Sequence, residues 1–155
     1  MRKIGVFESL WFTLAAGLVG CGAEPPAGPC GPGASAMRLV FGEPLRASGP
    51  DTALVRGQQG GCHVAVGVVL TGPWADRVDL EGAVVVGGQR LEARRRLRVA
   101  EDAGGCRVGP FPVVVAEPAA AVGSATARFE VTDERGNWAA GEALVTILPA
   151  PECGE

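Results

Sequence analysis

The chain has 155 residues, 47% of them hydrophobic, with 24 glycines, 12 prolines and five cysteines. That length allows one domain, and the glycine and proline share lies below the range of a disordered chain. The formal net charge of −3 at pH 7 excludes the basic footprint of a nucleic-acid binder.

Arg2 and Lys3 open the chain with positive charge. Leu10 to Val19 is an apolar run too short to span a bilayer as a helix, which fits a secretory signal. Small residues follow, then Cys21. Leu18-Val19-Gly20-Cys21 resembles the lipobox of bacterial lipoproteins. The resemblance implies a diacylglyceryl group on the Cys21 thiol, cleavage before it and acylation of the new N-terminus. Residues 1–20 are then a cleaved signal peptide. Residues 21–36 are the lipidated cysteine and a Pro/Gly-rich tether, and residues 37–155 are the folded domain. Gly22 stands where inner-membrane lipoproteins of enterobacteria carry Asp. The resemblance therefore implies a membrane partner through a lipid anchor, at the outer membrane, facing the periplasm or the surface.

From Met37 the chain breaks into short runs separated by turn residues. Met37 to Phe41 and Ala53 to Arg56 are the first two candidate strands. Cys62 to Leu70 alternates, with Cys62, Val64, Val66, Val68 and Leu70 on one face. Trp74 follows in a Gly-Pro turn, the wrong place for the core tryptophan of an immunoglobulin domain. Val78 to Val86 and Arg90 to Val99 flank Gly87-Gly88, which suits a two-residue primed turn. That turn pairs Val86 with Gln89, Val84 with Leu91 and Val78 with Leu97. On the outer face Glu81 meets Arg94 and Asp79 meets Arg96. Arg95 points inward opposite Leu80, which requires an open sheet edge or a bulge.

Cys106 to Val115 is the next strand. Ser124 to Thr132 alternates, with Ala125, Ala127, Phe129 and Val131 inward, and Glu142 to Leu148 closes the set. Seven to eight short antiparallel strands with no helical pattern predict an all-β fold, a single β-sandwich. The closing segment ARFEVTDERGNWAAGEALVTI, with Asp133, Gly136 and Asn137, resembles the final hairpin of bacterial immunoglobulin-like domains. That resemblance implies an immunoglobulin-like sandwich.

With Cys21 lipidated, Cys30, Cys62, Cys106 and Cys153 remain. An even count in an exported domain predicts two disulfides, in one of three pairings. Cys62–Cys106 is favoured, because GGCHV and GGCRV match locally and both cysteines begin a strand. Cys30–Cys153 then joins the tether to the tail. His63 is the only histidine and is adjacent to Cys62, not spaced from it as in a zinc site, so no metal is expected.

Ser35, Ser48 and Ser124 stand in no nucleophile elbow, and no Walker loop, dinucleotide fingerprint or EF-hand spacing is present. The sequence implies no catalytic residues and no cofactor. The unusual feature is an arginine-rich strand, with Arg94, Arg96 and Arg98 on one face. Two readings stay open. One is a solvated face of cross-strand ion pairs that guards a sheet edge. The other is an anion-binding strip for a glycan or lipid headgroup. The expected function is a non-enzymatic structural or interaction module of the cell envelope, with an envelope protein or an anionic glycan as partner.

Overall fold

The computed structural model describes residues 28–42, 45, 51–102 and 105–154. The expected signal peptide, the lipobox-like Leu18-Val19-Gly20-Cys21 and Ser48 lie outside the described residues. The fold is an all-β sandwich of two sheets. Seven long strands carry it: β1 (Ala36–Phe41), β4 (Cys62–Thr71), β5 (Arg77–Val86), β6 (Gln89–Arg98), β8 (Gly105–Val115), β9 (Gly123–Asp133) and β10 (Trp138–Leu148). Three short ones are added, β2 (Asp51–Ala53), β3 (Val55–Arg56) and β7 (Ala100–Asp102).

One sheet has the order β1-β4-β8-β7, with β3 also on β4; the other has β2-β10-β9-β5-β6. The expected strand Ala53 to Arg56 is split between them. β2 runs beside β10, and β3 returns to the start of β4. The β2–β10 pair is parallel, so the sheets are not wholly antiparallel as expected.

Each sheet turns its apolar face inward. The five alternating residues Cys62 to Leu70 of β4 are all buried, as are Val78, Leu80, Val84 and Val86 of β5 and the Ala125–Val131 stripe of β9. Burying one such Val, Leu or Phe side chain contributes about 1.5–3 kcal/mol. On β8 the parity changes. Cys106 and Val108 point inward, then Phe111, Val113 and Val115. The change comes from a bulge in which Gly109 and Pro110 oppose Gly67 alone.

Phe129 sits at the centre. Its neighbours in register are Gly82 on β5 and Gly141 on β10. A Cβ at Gly82 would fall 2.4 Å from the Phe129 ring, so the ring occupies the space of an absent side chain. Phe111 meets the ring edge-on at 5.6 Å between centroids.

The hairpin register matches the expectation at every pair, and Gly87 and Gly88 both have positive φ (55° and 78°). Of the two exits for Arg95, the structure takes the open edge. β6 is the sheet's last strand, its pairing with β5 is unbroken, and the Arg95 side chain donates to the Arg94 carbonyl in solvent.

All four expected half-cystines are disulfide-bonded, but the favoured pairing is overturned. The bonds are Cys30–Cys106 and Cys62–Cys153. β4 and β8 are antiparallel neighbours in which Cys62 lies opposite Val115 and Leu70 opposite Cys106. Two cysteines that each begin a strand are thereby sent to opposite ends of the molecule, roughly 25 Å apart at about 3.3 Å per residue. Each bond instead fastens a terminal segment to one of the two central strands. The expected tether is also shorter than 21–36, because Cys30 is 1% exposed and bridges Gly72, within the sandwich.

Trp74 stands in the turn where the sequence places it, outside any strand. It lies in the turn between β4 and β5, yet it is fully buried, and its indole N–H donates to the Thr71 carbonyl at 2.8 Å. A core side chain is supplied here by a loop that folds under the sandwich end.

Candidate functional site

The outer face of the second sheet carries the candidate residues. Its strands run β10, β9, β5, β6 side by side, so outward side chains form rows across it. One row is Arg94, Glu81, Glu130 and Ala140; the next is Arg96, Asp79, Thr132 and Trp138. A depression of about 480 Å³ lies across these rows, lined by Asp79, Glu81, Arg90, Arg94, Arg128 and Glu130.

Arg94, Arg96 and Arg98 share this exposed face, as alternation predicts. Arg94 pairs with Glu81 at 3.6 Å, as the register requires. Arg96 departs from the expected Asp79 and reaches Glu134 in the β9–β10 turn at 4.0 Å. An arginine stem reaches a diagonal neighbour as readily as a direct one. Arg90 adds a pair along its own strand with Glu92 at 2.8 Å. All these groups are well exposed, where an ion pair contributes about 0–1 kcal/mol. Arg98 makes no ion pair within 4 Å among the described residues. The face is a mosaic of interleaved charge and not a uniform cationic strip.

The β10 side of the same face is different. Trp138 is 57% exposed and Leu144 is 78% exposed, with Leu148 further along the strand. Val85, in register with Thr126 beside Leu144, extends the apolar area onto β5. Along β10 these side chains are spaced by Ala140, Glu142 and Thr146, and the outward Trp138 was missed because the strand was expected to begin at Glu142, which left it in a loop. The signal was present. Ala139, Gly141, Ala143, Val145 and Ile147 continue an inward stripe four residues further back and place Trp138, Leu144 and Leu148 outward.

A polar node closes one end of the sandwich. The Asp133 carboxylate accepts from the backbone N–H of Ala75, Arg135 and Asn137 and from the Asn137 side chain, all at 2.8–2.9 Å. Asn137 also donates to the Pro73 carbonyl, and its amide oxygen accepts from the Ser35 hydroxyl. Burial alone would raise the Asp133 pKa. The four donated hydrogen bonds outweigh it and hold the group below the ordinary 3.8. The residues that carried the immunoglobulin-like resemblance thus lock a turn to the β4–β5 connection and the N-terminal segment.

His63 lies on the outer face of β4, between Val55 and Val114 in register, beside Gly57. Ser35 is at the opposite end with Asn137, and Ser124 belongs to the other sheet. The structure does not bring these three together. No protein-family model matches the chain, and no curated protein matches it either.

Proposed function

We propose that this is a lipid-anchored protein of the bacterial envelope whose disulfide-braced sandwich acts as a non-enzymatic structural or interaction module. One observation carries the reading. Leu18-Val19-Gly20-Cys21 stands nine residues before Cys30, which is buried and disulfide-bonded to Cys106. A lipobox and an oxidised, stapled domain follow one another with only a short tether between, the order an exported lipoprotein needs. Exposed Leu144, with Val85 across Thr126 and Leu148 further along β10, supports an interaction role, because large exposed apolar side chains near one another favour a contact surface.

The test is the intact mass of native protein purified from membranes, before and after reduction. A chain starting at Cys21, raised by acyl groups and gaining about four protons on reduction, supports the reading. An unacylated chain, or one that retains residues 1–20, overturns it.

A second reading rests on the three arginines that share the exposed β6 face: a binding lipoprotein for an anionic glycan. It requires salt-sensitive binding to acidic glycans that Arg94→Glu with Arg96→Glu abolishes. Binding that ignores both salt and these changes removes it.

A further inference from the structure

We infer that the free edge of β10, from Trp138 to Leu144, pairs antiparallel with the same edge of a second copy of this chain, about a two-fold axis at Gly141. The inference goes beyond the interaction reading above and stands with or without the lipid anchor.

Backbone direction identifies the open edge. The Asp133 N–H donates to the Asn137 carbonyl, so from this turn onward the odd-numbered residues of β10 bond to β9. On the other side the Leu148 carbonyl accepts from the Leu54 N–H, so the even-numbered residues face away from β9. β2 occupies that side only from Thr146 on. Before it, Trp138, Ala140, Glu142 and Leu144 direct their N–H and C=O groups to a side where no strand stands among the described residues. β1 approaches β10 from the core side, with Met37 against Gly141, and forms no ladder with it. The four edge-facing residues have exposed side chains, whereas Thr146, flanked by β2, is half-buried.

The free segment is self-complementary. One register uses all of it and stops before β2. It sets Trp138 opposite Leu144 of the second copy, Ala140 opposite Glu142, and Gly141 opposite Gly141. A step one way puts Trp138 opposite Thr146, a place taken by β2, and Glu142 opposite Glu142. A step the other way leaves Leu144 opposite the β9–β10 turn. In the fitting register, four residue pairs exchange about eight backbone hydrogen bonds. Two Trp–Leu contacts form on the outer face, and the single charge of β10, Glu142, meets alanine. The two glycines meet at a non-bonded position, where Cα atoms lie about 4.5 Å apart. The opposite edge of the sheet is built to refuse such a pair. β6 carries five arginines, and pairing it with itself along its length sets Arg90 opposite Arg96 or Arg98. Arg95 also covers the Arg94 carbonyl at that edge. Seven residues a side make less than a standard interface, so the β10 pair is weak and the chain is monomeric when dilute.

The test is sedimentation equilibrium of the full chain, in density-matched detergent so that acylated and unacylated chains are read alike. A monomer–dimer equilibrium with a Kd of about 10–100 µM is expected for a pair of this size. Ala140→Pro removes an N–H that faces solvent in the monomer, so the chain should stay folded in thermal unfolding and dimerise about tenfold more weakly or worse. Leu144→Glu, at a side chain 78% exposed, should weaken the dimer similarly and leaves the backbone untouched, so it carries the test if the proline variant does not fold. Register is read by mixing copies that carry Ala140→Cys with copies that carry Glu142→Cys. Directly opposite bonded residues have Cα atoms about 5.5 Å apart, within disulfide range, so oxidation should link the mixture and neither variant alone. A wild-type chain that stays monomeric to about 500 µM, above the expected Kd, overturns the inference and leaves the edge to a strand of another protein. A dimer that Leu144→Glu does not weaken, or a cysteine mixture that does not cross-link, overturns it as well.

Discussion

The two ends of the sandwich are each closed by one disulfide, but they solve the problem of closure differently. At the Cys30–Cys106 end polar groups converge, and Asp133, Asn137, Ser35 and the Trp74 indole are all hydrogen-bonded, while Arg107 Nε is buried there without a partner. At the Cys62–Cys153 end the closure is apolar, built from prolines, alanines and Leu54, and it leaves the Thr52 hydroxyl buried without a partner. The first end specifies geometry through directional bonds. The second relies on packing and on its covalent bond.

The largest effects should come from the bonds themselves. The bonded cysteines are 76 and 91 residues apart, so the chain-entropy model assigns each bond nearly the same value, about 4.5 kcal/mol. Urea unfolding of Cys30→Ser with Cys106→Ser, set against Cys62→Ser with Cys153→Ser, separates entropy from local structure. The first pair should lose more, because freeing Cys30 also loosens the segment whose Ser35 holds Asn137. Equal losses would mean that the polar node stands without its staple.

Asp133 tests the polar end alone. Asp133→Ala leaves the N–H groups of Ala75, Arg135 and Asn137 without their acceptor and should cost about 2–3 kcal/mol. The pH dependence follows from the lowered pKa. The folded carboxylate holds its proton less tightly than the unfolded one, so its contribution is complete above the ordinary value of 3.8. It is lost as pH falls through the folded value. Stability measured between pH 6 and 2 should therefore decline on the acid side, and Asp133→Asn should flatten that decline. An unchanged acid limb in the variant would place the pH sensitivity on other carboxylates.

Thr52 tests the apolar end with the opposite sign. It is buried in β2 beside Ile147, and its hydroxyl has no hydrogen-bond partner. Thr52→Val keeps the shape and removes the desolvated hydroxyl, so thermal unfolding should show a gain of about 1 kcal/mol. A loss would mean that a water or a partner satisfies that hydroxyl.

What could be read from the sequence divides along the same line. Period-two alternation in β4, β5 and β9 is a local signal, and it placed the inward faces correctly because one face of each strand is buried. Gly87-Gly88 fixed a whole hairpin register, since a two-residue primed turn allows only one pairing. The disulfides were not legible, because GGCHV and GGCRV carry no information about which end of the fold a strand start occupies. Antiparallel neighbours reverse that end. The burial of Trp74 was not legible for a related reason. Its turn identity is local, but its burial depends on the Cys30 end closing over it. On the candidate face, the arginine alternation was visible and the outward Trp138 was not, since it required knowing where β10 begins.

The smallest effect separates the two halves of the outer face. Arg94 and Arg96 face solvent, and their pairs with Glu81 and Glu134 are exposed at 3.6 and 4.0 Å. Such pairs contribute about 0–1 kcal/mol and are screened within roughly 8 Å at physiological salt. Arg94→Ala with Arg96→Ala should shift the unfolding free energy by less than about 1 kcal/mol, and 0.5 M salt should shrink the difference further. If the arginines act only as surface charge, little else changes, apart from an edge strand less protected against pairing with a second chain. Light scattering of the variant reads that directly. A monomeric variant with unchanged stability would leave the arginines without a structural task and shift weight to the anionic-ligand reading. A variant that self-associates would assign them to guarding β6, the edge at which the sheet would otherwise continue into a neighbour.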